Sequence, residues 1–459
     1  MYQIDFSKPE HIYFIGIGGI SMSGLAEILM DEGFTISGSD SHKSELTEHL
    51  EARGANVFYG QRAGNIPQGI TAAVYTAAIH PDNPEYAAVK EQEIPLLSRA
   101  ELLGQMMKNY RYAVGIAGTH GKTTTTSMVT EILLAADEDP TISVGGILNS
   151  IGGNIRVGGS GLFVTEACEY TNSFLSFFPN MEIILNIEED HLDFFKDIGD
   201  IRRSFRLFAE KLPAEGLLVI SSDIERVEEI TKNLPCRVLT CGKAFGSDYS
   251  ACNITYDEFA RASFDLIVRE EKVCRISLGV PGEHNIYNAL ASIALCQALD
   301  IPMEHIQEGL EKFTGTNRRF EKKGEIGGIT IIDDYAHHPS EIRATLSAAA
   351  NYPHKRLWCI FQPHTYTRTK AFMDEFAEAL SAADEVILAD IYAARETDNL
   401  GINSGNLAEK MEKLGTKAHY IPSFDEIETF ILKNCINGDL LITMGAGDIV
   451  KVGERLLGK

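Results

Sequence analysis

Three times along the chain an apolar strand pattern runs straight into a loop of unusual composition and then into a helix pattern. The stretches are HIYFIGIGGISMSG at 11–24, YAVGIAGTHGKTTTT at 112–126 and GITIIDDYAHHPSE at 328–341. After each, short β-like runs alternate with amphipathic helix patterns, the signature of parallel α/β units. The fold class is therefore α/β. A chain of 459 residues is too long for one ordinary core. Polarity rises at MMKNYR and again at TGTNRRFEKKG, so three domains are expected, over 1–108, 109–318 and 319–459.

The middle stretch carries the strongest chemistry. Gly118 and Gly121 let the backbone close around an anion, Lys122 reaches terminal phosphates, and the Thr123 hydroxyl suits Mg²⁺. Ile116 stands where the strict G-x-x-x-x-G-K-[ST] pattern has its first glycine, so this is not an ordinary P-loop kinase. The bland alternative is a polar helix start. Glu166 closes the strand pattern LFVTE, and His191 follows MEIILNI within EEDHLD. Ligands gather at the carboxyl ends of parallel strands, so both are expected to converge on the phosphate loop. A carboxylate and a hydroxyl are hard ligands for Mg²⁺, and a histidine can hold a second ion.

Net charge is −24, from 41 basic and 65 acidic side chains. That argues against a nucleic-acid partner or an anionic membrane surface, but not against phosphate held locally by backbone N–H groups. MYQIDFSKPE lacks the features of a signal peptide, and no apolar run is long enough to span a bilayer, so a cytoplasmic protein with no membrane insertion is expected. None of the eight cysteines forms a C-x-x-C pair, and Cys236 and Cys241 have no matching cluster, so they read as reduced structural thiols.

In the first stretch Gly16, Gly18 and Gly19 form a tight turn, with Ser21 in the third position of a dinucleotide fingerprint. A lone match of this kind is weak support for NAD. Asp40, the last residue of FTISGSD, could contact a ribose or a uracil, or could cap the next segment. An NAD-dependent oxidoreductase would leave GTHGKTTTT and the third stretch unexplained. A nucleotide-controlled binding protein would make the first domain redundant.

GTHGKTTTT, EACEYTNSFL, NIEEDHLDFF, PGEHNIYNALAS, GTNRRFEKKGE, DDYAHHPSEI and FQPHTYTRT together resemble the ordered motifs of the Mur ligase family. The resemblance implies a Rossmann-like UDP-sugar domain, a central P-loop-type ATPase domain and a Rossmann-like C-terminal domain. It implies ATP binding by Gly118, Thr119, His120, Gly121, Lys122, Thr123, Thr124, Asn285, Asn288, Arg319 and Asp334, with His284 near the adenine or supporting the site. Thr123 and Glu166 would hold one Mg²⁺ and His191 a second. Lys122, Arg319 and His337 would be catalytic. Gly16, Gly18, Gly19, Ser21 and Asp40 would bind the UDP-sugar, and His337 and Arg368 the amino acid. The wording GIGGISMSGLAEIL resembles members that use ATP to join L-alanine to the carboxylate of UDP-N-acetylmuramate in peptidoglycan precursor synthesis.

Taken singly, several of these residues have plainer roles. Asn285 could cap a helix, Arg318–Arg319 could be a solvated pair, and Asp333–Asp334 could begin a turn. The sequence also departs from the family in places. Cys168 and Tyr170 stand where many relatives are more acidic, and Thr365 where some carry arginine. The helix DIRRSFRLFAEK offers arginine and serine in its first turns, so no carbamoylated lysine is expected, and completion of the second metal site stays open.

Overall fold

A computed structural model of the chain describes residues 2–459 except 77, 244–245 and 395. Three sheets follow one another along the sequence. The first has five parallel strands, in the spatial order Asn56–Tyr59, Thr35–Asp40, His11–Ile15, Ala72–Tyr75 and Leu96–Ser98. The order reverses beside His11–Ile15, where the glycine turn enters helix Ile20–Asp31. In open α/β sheets that switch point is where ligands bind.

The central sheet has ten strands. Its parallel heart runs Arg237–Cys241, Leu217–Ser221, Met181–Ile184, Tyr112–Ala117, Leu162–Glu166, Thr141–Leu148. The strands Tyr249–Tyr256, Arg261–Val268 and Glu271–Pro281 extend it as an antiparallel flank, and Gly153–Arg156 is an antiparallel edge. A purely parallel sheet is the simpler expectation from the alternating strand and helix patterns. The flank departs from it because strand Glu271–Pro281 is exposed over its first half and alternates in burial only toward its end, as a one-sided antiparallel strand does.

The third sheet runs Glu321–Ile326, Ile329–Asp334, Leu440–Met444, Leu357–Phe361, Glu385–Leu388, Ala418–Tyr420, parallel except for its first strand.

The two interdomain seams differ in kind. One apolar cluster is continuous from the first sheet into the central one, through Leu103, Met106, Phe163, Phe174 and Phe177. The approach there is close: a Cβ built on Gly104 would lie 1.9 Å from the Ser176 carbonyl oxygen, and one on Gly24 1.9 Å from the Cδ1 of the Ile155 side chain. The third sheet has apolar clusters of its own and meets the centre through charged and polar side chains. Polar seams between domains permit relative motion, whereas large apolar ones resist it. Among the described residues no helix is long and apolar enough to cross a membrane.

Candidate active site

Strand Tyr112–Ala117 ends at Gly118, whose φ of +146° turns the chain into the phosphate loop, and Gly121 at φ +85° starts helix Lys122–Ala135. A Cβ on Gly121 would sit 2.7 Å from Asn288 Oδ1, so glycine is needed for space as well as conformation. Asn186, from the neighbouring strand end, braces the loop: its Oδ1 accepts from His120 N at 2.8 Å and its Nδ2 donates to His120 O at 3.1 Å. Thr119 N donates to Asn186 O at 3.2 Å. Lys122 Nζ donates to the carbonyls of Gly118 (2.5 Å) and Thr119 (3.1 Å) and lies 3.1 Å from Glu169 Oε2. Burial alone would depress the lysine, but Glu169 raises it above the usual lysine range.

Glu169 belongs to the same EACE run as Glu166, and the sequence reading passed over it. The signal was there, a second carboxylate three residues on. Glu166 Oε1 accepts from Gly145 N at 2.5 Å. A Cβ on Gly145 would meet Glu166 Oε2 at 2.7 Å, and one on Gly146 would meet Thr123 Cγ2 at 3.2 Å. The Gly145–Gly146 segment thus backs both Thr123 and Glu166. A hydroxyl and a carboxylate on one glycine shelf beside a phosphate loop are donors that fit Mg²⁺. His191, at φ +53°, stacks on Tyr170 (4.4 Å between centroids), and its Nε2 lies 4.0 Å from Glu169 Oε1.

A cavity of about 470 Å³ opens between the central and third sheets, lined by Gly121, Thr124, Asn285, Asn288, Arg319 and Asp334 among others. His284 also lines it, and burial, with Arg319 adding, lowers its pKa to about 4. Asn285 does not cap its helix, which begins from Glu283 without a side-chain cap. Asn285 Nδ2 instead donates to Pro281 O at 2.7 Å, and its Oδ1 accepts from Asn288 Nδ2 at 2.9 Å.

The adjacent arginines part company. Arg318, at φ +63°, pairs with Asp333 at 3.0 Å and donates to the carbonyls of Gly445 and Gly447, fastening the connector to the third sheet. Arg319 faces the cavity, 3.7 Å from Glu341 Oε1. Asp334 accepts from Phe320 N and Ala336 N at 2.8 Å each, and burial lifts its pKa to about 6 against those bonds.

Glu341 gathers much of the remaining charge. Its carboxylate lies 3.3 Å from His120 Nδ1, 3.2 Å from His337 Nδ1 and 3.7 Å from Arg319 Nη1. Burial would raise Glu341, yet these groups hold it well below the usual glutamate range. Burial would likewise depress His120, but Glu188 and Glu341 raise it to about 9. His337 goes the other way: burial lowers it to about 4, and its Nδ1 contacts Tyr335 O at 3.0 Å. That contact assigns the proton to Nδ1 and leaves Nε2 with a lone pair. Glu341 stands at the third helical position after the capping His338, a reciprocal capping arrangement that its sequence spacing announces.

A second cavity of about 440 Å³ is lined by Tyr170, Asp190, His191, His364, Thr365 and Arg368 among others. The residues of the first glycine turn line neither cavity. There Gly16 has φ +84°, Gly19 starts the helix, Ser21 sits in its first turn, and Gly18 N donates to Asp40 Oδ2 at 2.8 Å. Asp40 does not cap the following helix, which Ser44 caps instead.

Sequence models match in series along the chain: "Mur ligase family, catalytic domain" at residues 11–111, "Mur ligase middle domain" at 116–296 and "Mur ligase, glutamate ligase domain" at 318–447. The chain belongs to the Mur ligase family. Family relatives include the UDP-N-acetylmuramate–L-alanine ligases of Lachnospira eligens, 64% identical, and Agathobacter rectalis, 61% identical, each aligned over 100% of both chains. Among solved Mur ligase structures, the UDP-N-acetylmuramate-alanine ligase of Thermotoga maritima superposes with a TM-score of 0.80 at 30% identity, over 98% of both chains. The murein peptide ligase of Psychrobacter arcticus gives 0.70 at 24% identity over 98% of both, a likeness of fold.

Proposed function

We propose that this Mur ligase uses ATP to join L-alanine to the carboxylate of UDP-N-acetylmuramate, releasing ADP and phosphate, in peptidoglycan precursor synthesis. The full-length identity of 64% to a ligase of that name carries the proposal. Several residues supply its chemistry. The cavity between the central and third domains takes ATP, with Asn285, Asn288 and Asp334 around the nucleoside and the loop Gly118–Thr124 around the phosphates. Lys122 leaves its carbonyl partners to meet the β- and γ-phosphates, and Arg319 approaches the γ-phosphate from the connector. Thr123, Glu166 and His191 would hold Mg²⁺, which when bound neutralises phosphate charge.

The muramate carboxylate attacks the γ-phosphorus, forming an acyl phosphate as ADP departs, and the alanine amine then displaces phosphate from the acyl carbon. Such transfer depends on positioning and on preorganised charge rather than on an enzyme nucleophile. The UDP-sugar enters along the Gly16–Gly19 turn beside Ser21 and Asp40, and Arg368 receives the alanine carboxylate. His337, neutral at physiological pH, offers Nε2 to the incoming ammonium.

The test is a product assay with ATP, UDP-N-acetylmuramate and a panel of amino acids and murein tripeptide. ADP release that requires both the UDP-sugar and L-alanine is expected. Equal turnover with the tripeptide, or ADP release without UDP-N-acetylmuramate, would overturn the assignment.

A further inference from the structure

Beside the phosphate loop, His120, Glu188 and His338 bring three ligand atoms within 4.8 Å of one another. They come from three segments: the loop itself, the end of the Met181–Ile184 strand connection, and the cap of helix Pro339–Ala350 in the third domain. None is among the residues to which the ligase chemistry assigns Mg²⁺.

The surroundings of the two imidazoles are what distinguish this cluster from an ordinary polar seam. A metal-ligating histidine usually gives its outer nitrogen to a carboxylate or a backbone carbonyl, which fixes the tautomer and turns the other nitrogen inward. His120 Nδ1 faces Glu341 Oε1 at 3.3 Å, while its Nε2 is buried without a hydrogen-bond partner among the described residues, 3.6 Å from Glu188 Oε2. His338 Nε2 is 3.0 Å from the Glu189 carbonyl oxygen, which assigns the N–H there and leaves the lone pair on Nδ1. Ser340 donates its backbone N–H to His338 Nδ1 at 3.3 Å, a capping bond that a metal on Nδ1 would replace, and its hydroxyl to Glu188 Oε2 at 2.5 Å. The rings lie with centroids 4.7 Å apart and their planes tilted by 38°.

We infer that His120, Glu188 and His338 form a Zn²⁺-type transition-metal site that staples the third domain to the phosphate loop. Two imidazoles and one carboxylate suit Zn²⁺ and not Mg²⁺, which prefers oxygen. Tetrahedral bonds of ~2.0–2.1 Å would draw the ligand atoms to roughly 3.4 Å apart, a side-chain adjustment. His120 and Glu188 line the nucleotide cavity, so the fourth position opens toward it and takes water. Binding releases protons and tightens as pH rises. Because its ligands lie on both sides of the seam, an occupied site resists domain opening and inhibits turnover.

The site borders the cavity proposed for ATP but needs no substrate to form, so it is tested by metal binding alone on the chelator-treated, nucleotide-free full chain. Titration with Co²⁺ is expected to give one tetrahedral ligand-field band at one ion per chain. No thiolate-to-cobalt charge-transfer band accompanies it, although eight cysteines are present to supply one. Glu188→Gln and His338→Asn should each weaken Zn²⁺ binding by at least ~10²-fold, more than the ~10–100-fold of a lost outer-shell partner. Asparagine still caps the helix, so His338→Asn removes a ligand without removing the cap. No saturable binding, a thiolate band, or undiminished Zn²⁺ affinity in both folded variants would each sink the inference.

Discussion

Arg368 of the third domain reaches Asp190 of the central domain, with Nη2 2.8 Å and Nε 3.1 Å from the same carboxylate oxygen, and both side chains nearly buried. Burial would raise the Asp190 carboxyl, but Arg368 holds it well below the usual 3.8. Two neighbouring residues are grasped as well: Ser340 bonds Glu188 and His338 bonds Glu189 O. Each member of the run Glu188–Asp190 therefore takes one contact from the third domain.

Arg368→Ala leaves a buried carboxylate alone, which costs about 3–5 kcal/mol where no relief exists. The polar seam provides relief, so the variant is expected to open and to scatter X-rays with a larger radius of gyration. A radius equal to wild type would contradict this. The pair also sets a pH dependence. Its stabilisation is complete above the usual aspartate pKa and is lost as pH falls through the lower folded value. Acid should therefore open wild type, and the variant should show less of that response. In the ligase reading, Arg368→Lys raises the KM for L-alanine ~10-fold or more, the size of one lost charge-assisted bond. Hydroxylamine trapping of the acyl phosphate survives.

Lys122→Ala should cut turnover at least ~10²-fold, as loss of one preorganised charge-stabilising donor does. It also strands the buried Glu169 carboxylate, so its Tm should fall. Adding Glu169→Ala is expected to restore part of the Tm and none of the activity. Recovery of activity in the double variant would place Lys122 outside the chemistry.

Glu182 lies fully buried in the central sheet with neither carboxylate oxygen partnered among the described residues. Burial raises its pKa well above the usual 4.5. The folded state then binds more protons than the unfolded one, so stability declines as pH rises above 4.5 toward the folded value. Glu182→Met should remove that slope and raise the neutral-pH Tm, since an unpaired buried polar group costs about 1–3 kcal/mol. A lower Tm at pH 7 would show that the Glu182 carboxylate makes a stabilising contact in the folded protein.

Gly104→Ala would drive a methyl into the Ser176 backbone. Overpacking of this kind costs about 1–3 kcal/mol, and it should lower the Tm and loosen the first domain toward limited proteolysis. Gly64→Ala, where nothing lies within 4 Å, should leave both unchanged and serves as the control. Equal behaviour of the two variants would mean the seam yields more readily than its backbone contact implies.

Local patterns in the sequence determined much. Gly118 and Gly121 beside Lys122 at a strand end already read as a tight turn opening a helix, and both take the positive φ that disfavours other residues. The three strand-to-loop openings and the alternating apolar runs likewise settled an α/β chain. Side-chain partnership was decided by tertiary structure, since it depends on which segments the sheets bring together. EACEYTNSFL shows a second carboxylate three residues after Glu166, but only folding makes Glu169 the partner of Lys122, and nothing in HHPSE says that Glu341 draws His120, His337 and Arg319 around one carboxylate. Arg318 and Arg319 are adjacent and alike in sequence, yet one fastens the connector and the other faces the cavity between the central and third sheets. The antiparallel flank of the central sheet and the contrast between an apolar and a polar seam are equally long-range. Burial and electrostatics act on distances between segments, and those distances exist only once the chain has folded.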